Sequence, residues 1–192
     1  MGLVMKISLI SGSPRKKGNT EILLSYCKDK LEEEGLTTES INLACEKLNH
    51  CLGCNKCTGQ NKCIQNDDFN KVYNKVLQSK GLILASPVYV GMPTSLMMAF
   101  IQRATMVSFN NERTLIGKIG GAIAIGGEAG QLATIKDMTQ FYLVNEMIVV
   151  GSEYWNIGVA SKKGDIKIDT RGKEYVESFV KNVSSIINKL EG

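Results

Sequence analysis

Cys51, Cys54, Cys57 and Cys63 stand in the order C-x2-C-x2-C-x5-C, four of the chain's six cysteines within thirteen residues. Three thiols at this spacing point into one small volume, and a nearby fourth can close it. That suits the corners of a cubane iron–sulfur cluster, which takes four Cys thiolates. Structural zinc ranks second, because a tetrahedral site usually draws two C-x2-C pairs from separated chain directions. Disulfides rank third, since cysteines at x2 spacing pair only as strained, reducible bridges and nothing marks the chain as secreted. The five-residue gap, followed by Ile64 where a ferredoxin run has proline, leaves all four thiols to serve one cluster. His50 is the only histidine. It reads as a loop residue, with a donor to the cluster as its alternative.

A second stretch has different chemistry. Lys6 to Ile10 reads as a buried strand running into Ser11-Gly12-Ser13-Pro14-Arg15-Lys16-Lys17-Gly18-Asn19-Thr20. A helix then opens with Ile22, Leu23, Tyr26, Cys27 and Leu31 on one face, so Cys27 reads as core. A strand, a Gly/Ser turn and a helix start offer an anion both backbone N–H groups and hydroxyls. The turn lacks the Gly-Lys-Ser/Thr of a nucleotide loop and the third glycine of a dinucleotide fingerprint. A lone phosphate, as on FMN, suits it. An ordinary turn with Ser and Asn caps suits it equally well.

The elements that must position these stretches follow in order. Thr38 to Leu43 reads as a second strand, and 44–66 shows no period. A structureless insertion of that length needs a reason, which the cysteines supply. Asp67-Asp68 caps a helix bearing Phe69, Val72, Tyr73, Val76 and Leu77. Gly81 to Ser86 is an apolar third strand, central and parallel in character. The rigid loop Pro87-Val88-Tyr89-Val90-Gly91-Met92-Pro93 follows it, then an apolar helix over 94–105. Gly120 to Ile125 is a fourth strand, the turn Gly126–Gln131 leads into a helix over 131–145, and Met147 to Val150 is a fifth strand. Residues 152–172 read as a lid, an interface arm or a disordered segment. A last helix carries Tyr175, Val176, Phe179, Val180, Val183, Ile186, Ile187 and Leu190.

Strands alternating with helices predict an α/β fold: a flavodoxin-like, doubly wound, five-stranded parallel sheet of order 2-1-3-4-5 with a cysteine-rich insertion after strand 2. The 192 residues read as a single FMN-binding domain, with the cluster loop at about 44–66. In that order the loops after strands 1, 3 and 4 converge on one rim, where FMN binds at the strands' carboxyl ends.

Composition narrows the function classes. The net charge of +4 is mild and the basic residues are scattered, which does not suit nucleic-acid binding. No apolar run is long enough to cross a bilayer. Residues 1–10 are broken by Lys6 and lack a signal-peptide cleavage site, and Lys6 also stands where myristoylation needs Ser or Thr. A reducing cytoplasm is the expected compartment.

The chain resembles the NAD(P)H-dependent FMN reductase superfamily and, within it, the iron–sulfur flavoproteins. The resemblance rests on Gly12-Ser13-Pro14-Arg15 with Gly18-Asn19-Thr20, on the four-cysteine run before Asp67-Asp68, on Ser86-Pro87-Val88-Tyr89-Val90-Gly91, and on Gly120 to Gly127. It implies an FMN phosphate held by Ser11, Ser13, Arg15, Asn19 and Thr20. The ring would rest on Pro87, Val88, Tyr89 and Gly91, with the turn bearing Gly127 and Gln131 on its other side. It also implies a [4Fe–4S] cluster on Cys51, Cys54, Cys57 and Cys63. Homodimers or homotetramers are implied as well, with one subunit's cluster near another's FMN.

Three functions compete. The first is electron transfer between a one-electron donor such as ferredoxin and a two-electron small-molecule acceptor, through cluster and FMN. The second is a cluster-free NAD(P)H oxidoreductase reducing a quinone, free flavin or nitro compound. The third is a non-catalytic flavodoxin-like carrier, ranked last because such carriers are typically acidic. The second needs no acid–base residue, because the flavin does the chemistry; Tyr89 reads equally as packing and Glu128 as a loop carboxylate, so neither receives a catalytic role.

Overall fold

The structure, a computed structural model, describes residues 6–191. Residues 1–5, which carry much of the reading against a signal peptide or myristoylation, lie outside them.

The strands are β1 (Lys6–Ser11), β2 (Thr37–Asn42), β3 (Gly81–Pro87), β4 (Ile119–Gly126), β5 (Ile148–Val149) and β6 (Ile157–Val159). The helices are α1 (Asn19–Glu33), α2 (Phe69–Leu77), α3 (Ser95–Phe109), α4 (Gln131–Val144) and α5 (Thr170–Glu191). The sheet runs β2-β1-β3-β4-β5, all pairs parallel. This is the expected order. The difference is a sixth strand drawn from the 152–172 segment. β5 pairs with Ile119 and Gly120, whereas β6 pairs with Ala124 to Gly126 farther along the same strand. The edge strand is thus split, and the 152–172 segment is tied to the sheet through β6, a 3-10 turn at Asp165–Ile168 and the start of α5.

Strand alternation sends successive side chains to opposite faces. Leu82, Leu84, Ala122 and Ala124 meet Phe69, Tyr73, Phe100, Phe141 and Tyr142 beneath α2, α3 and α4. Ile7, Leu9, Ile83, Ile123 and Ile125 meet Leu23, Cys27, Phe179 and Val180 beneath α1 and α5. Cys27 is core as expected, and burial pushes its thiol up to about 12. Gly120-Gly121 has a packing reason. A Cβ at 120 would stand 2.3 Å from the Tyr142 ring, and one at 121 would stand 2.3 Å from the Phe179 ring. Bare backbone there lets α4 and α5 close on β4 from both sides. The buried Tyr142 hydroxyl donates to Gly121 O at 2.6 Å and accepts from Leu84 N–H at 3.0 Å, bridging β3 and β4.

Among the described residues, no helix is long and apolar enough to cross a membrane.

Candidate functional site

Two sites stand out. The first is a cleft of about 580 Å³ beyond the carboxyl ends of β1, β3 and β4, a volume typical of cofactor sites. Ser13, Arg15, Gly18, Asn19 and Thr20 form one wall, Pro87 to Gly91 another, and Gly126 to Ala129 a third. Gly18 offers the start of α1 no capping side chain, so the first N–H groups of that helix suit an anion. The Ser13 hydroxyl braces the turn, accepting from Arg15 N–H at 3.2 Å. Arg15 is exposed at the rim.

The second wall ends in a tight turn. Tyr89 and Met92 exchange both backbone hydrogen bonds, at 2.9 and 3.0 Å. Between them Val90 adopts φ +52° and is 95% exposed. A β-branched residue rarely takes that conformation, and such strain gathers at functional rims. Gly130, at φ +91°, sits where a Cβ would stand 2.7 Å from Val88. Only glycine lets the two loops touch there.

Nine expected residues line this cleft: Ser13, Arg15, Asn19, Thr20, Pro87, Val88, Tyr89, Gly91 and Gly127. Two do not. Ser11 is buried beneath the turn, accepting from Ser13 N–H at 3.3 Å. Gln131 folds back onto Gly126 O at 3.3 Å. The sequence reading also missed Ala160 and Ser161, which close the cleft after β6. Asn19 ties that closing loop down, donating to Lys162 O at 2.8 Å and accepting from Gly164 N–H at 2.7 Å.

The second site is the cysteine loop. All four expected thiols, with Leu52, Ile64, Arg103 and Met106, line one seam of about 20 Å³. Cys57 is buried, Cys51 and Cys63 are half-buried, and Cys54 is exposed. Among the described residues, no three His, Cys, Asp or Glu side chains converge as a ready metal site. In type, number and shared lining the thiols nevertheless match a cluster's donor set. Donors already reach the sulfurs: Asn110 Nδ2 lies 3.4 Å from Cys57 Sγ, and Gly53 N lies 3.5 Å from Cys51 Sγ. Such bonds tune a bound cluster. His50 is an exposed loop residue.

The loop has no helix or strand beyond a 3-10 turn at Leu43–Cys45, so side chains hold it. Asp67 and Asp68 precede α2 as expected: Asp67 Oδ1 accepts the N–H of Phe69, the first residue of α2, at 3.2 Å, while Asp68 at the cap position makes no side-chain cap bond. Asp68 accepts Lys47 N–H at 2.7 Å and Asp67 accepts Asn49 N–H at 2.9 Å. Asn70 exchanges two 2.8 Å bonds with the Cys63 backbone, and Asn111 donates to Cys57 O at 2.9 Å. The acidic pair therefore clamps the base of the loop.

Residues 5–162 match the family described as NADPH-dependent FMN reductase. An iron–sulfur flavoprotein of Methanocaldococcus jannaschii is 36% identical over 194 aligned positions, covering 97% of this chain and 100% of the relative. The chain belongs to the iron–sulfur flavoprotein family within the NADPH-dependent FMN reductases. It is an FMN-dependent oxidoreductase. A further iron–sulfur flavoprotein, from Methanosarcina thermophila, is 30% identical, with 97% of each chain covered. Among solved structures, RosB with a bound 8-demethyl-8-formylriboflavin-5'-phosphate intermediate superposes with a TM-score of 0.81 at 18% identity, covering 97% of this chain and 80% of that one. That likeness shows the shared flavodoxin-like fold.

Proposed function

We propose that this oxidoreductase carries electrons between a one-electron donor such as ferredoxin and a two-electron small-molecule acceptor, using FMN and a [4Fe–4S] cluster. The observation that carries the reading is the single seam lined by Cys51, Cys54, Cys57 and Cys63, in a chain that also presents the strand-end cleft. The names of the archaeal relatives support the cluster. When bound, FMN exchanges one or two electrons and a cluster exchanges one, so together they couple the two kinds of partner.

The chain's own residues supply binding and shielding. Ser13, Arg15, Thr20 and the N–H groups at the start of α1 would hold the phosphate. Pro87, Val88, Tyr89 and Gly91 would rest on one side of the ring and Gly127 on the other, with Ala160 and Ser161 closing the cleft against water. A rise of about 14–18 Å along α3 separates its buried cap Thr94, which donates to Gly12 O in the turn after β1 at 2.6 Å, from Arg103 and Met106 at the seam. A homodimer or homotetramer would bring one subunit's seam to another's cleft. The apolar groove beside Cys51, lined by Met98, Ile101, Phe141 and Val144, supports such a contact.

Iron, acid-labile sulfide and FMN assayed on protein purified without oxygen test the reading. About four irons per FMN are expected. Flavin bands alone after attempted reconstitution would overturn it. The second reading, a cluster-free NAD(P)H-dependent oxidoreductase, is favoured by the unconverged thiols. Rapid reduction of bound FMN by NADPH in a quadruple Cys→Ser variant is its test.

A further inference from the structure

Arg103 is the one charged residue of α3. It is only 1% exposed. Its Nη1 donates to Asp67 Oδ2 at 2.5 Å and Asn49 O at 3.1 Å, and its Nη2 donates to Asp67 Oδ1 at 2.9 Å. The guanidinium lies over the Phe69 ring, 4.3 Å from its centroid. Its Nε–H is buried without a hydrogen-bond partner among the described residues. A buried donor left unmatched is costly, and pairing with Asp67 does not require it. The same side chain lines the cysteine seam together with Cys63.

We infer that Arg103 is a positioning residue for the cluster: it offers its unpaired Nε–H to the sulfur edge at Cys63 and places a buried positive charge against the cysteine seam. This rests on the cluster reading above. Four thiolates make the seam anionic, and an added electron makes it more so. A buried guanidinium favours that added electron, because charges interact strongly where water is excluded. Asp67 partly offsets the guanidinium, so the two side chains act on the reduction potential with opposite signs. A purely structural clamp has no such signature.

The test is an anaerobic redox titration of the cluster, followed by electron paramagnetic resonance, in the wild type, R103Q, R103K and D67N. FMN content serves as the check of folding. R103Q should titrate at a lower potential than the wild type and lose iron faster to a chelator. R103K, which keeps the charge, should stay nearer the wild type, and D67N should shift upward. If R103Q holds no iron, an upward shift in D67N beside an R103K potential near the wild type's still decides. Equal potentials in all iron-containing variants, or downward shifts in both R103Q and D67N, would reduce Arg103 to a prop for the loop. Wild-type protein with FMN but no iron would instead remove the function reading, and this inference with it.

Discussion

Asn19 and Lys162, 143 positions apart, are joined by a 2.8 Å hydrogen bond from the Asn19 amide to the Lys162 carbonyl. The same side chain accepts Gly164 N–H at 2.7 Å. The first residue of α1 thus fastens the loop that closes the cleft. In N19A both bonds go, at about 1 kcal/mol. FMN should bind roughly fivefold more weakly by fluorescence titration, and the 161–164 loop should be cut faster by protease. Unchanged affinity would mean that the loop closes without its latch.

Arg15 lines the cleft with its side chain exposed. If it meets the phosphate, R15A should weaken FMN by about tenfold and leave riboflavin, which has no phosphate, unaffected. Equal losses for both ligands would place Arg15 against the ring or the turn instead.

Gly121 faces the Phe179 ring with no room for a methyl group. G121A should cost about 1–3 kcal/mol by overpacking. For a domain of this size each kcal/mol lowers the melting temperature by roughly 2–4 °C. A calorimetric scan decides, and an unshifted transition would show that α5 can yield.

Burial alone would raise the Asp67 carboxyl. The Arg103 guanidinium and the N–H groups of Asn49 and Phe69 outweigh burial and hold it below the usual carboxylate range. In acid the unfolded chain therefore takes up this proton before the folded one does. The stability Asp67 contributes is complete above the unfolded value of about 3.9 and is lost as pH falls through the lower folded one. D67N should be less stable at neutral pH by about 3–5 kcal/mol, because Arg103 loses its partner. Its stability should also fall less steeply below about pH 4 than the wild type's. Parallel acid curves in urea titrations would contradict the pairing.

The sequence made the sheet order legible because β1, β3 and β4 are long apolar runs closed by glycine and proline signals. It made the cleft legible in part, for the same reason: loops at strand ends carry their chemistry in composition. β6 escaped notice because three residues in a polar segment show no period, and with it went Ala160 and Ser161. That Ser11 and Gln131 lie outside the cleft lining was not legible, because composition cannot tell an inward side chain from a cleft-facing one. Arg103 lay inside a run read as plain apolar helix. A lone arginine in such a run, downstream of two adjacent aspartates, was the available signal of a buried pair.

The split edge also bears on how the chain avoids its own kind. A long open edge strand is a template on which another chain can add strands and aggregate. On the β4 side that edge is cut into pieces of two and three residues, with 151–155 unpaired to the sheet between them. On the β2 side the six-residue edge carries Glu39, ion-paired with Lys6 and Lys75, and an incoming strand would have to desolvate that charge. One edge is guarded by interruption and the other by charge, which leaves ordered association to the helical faces.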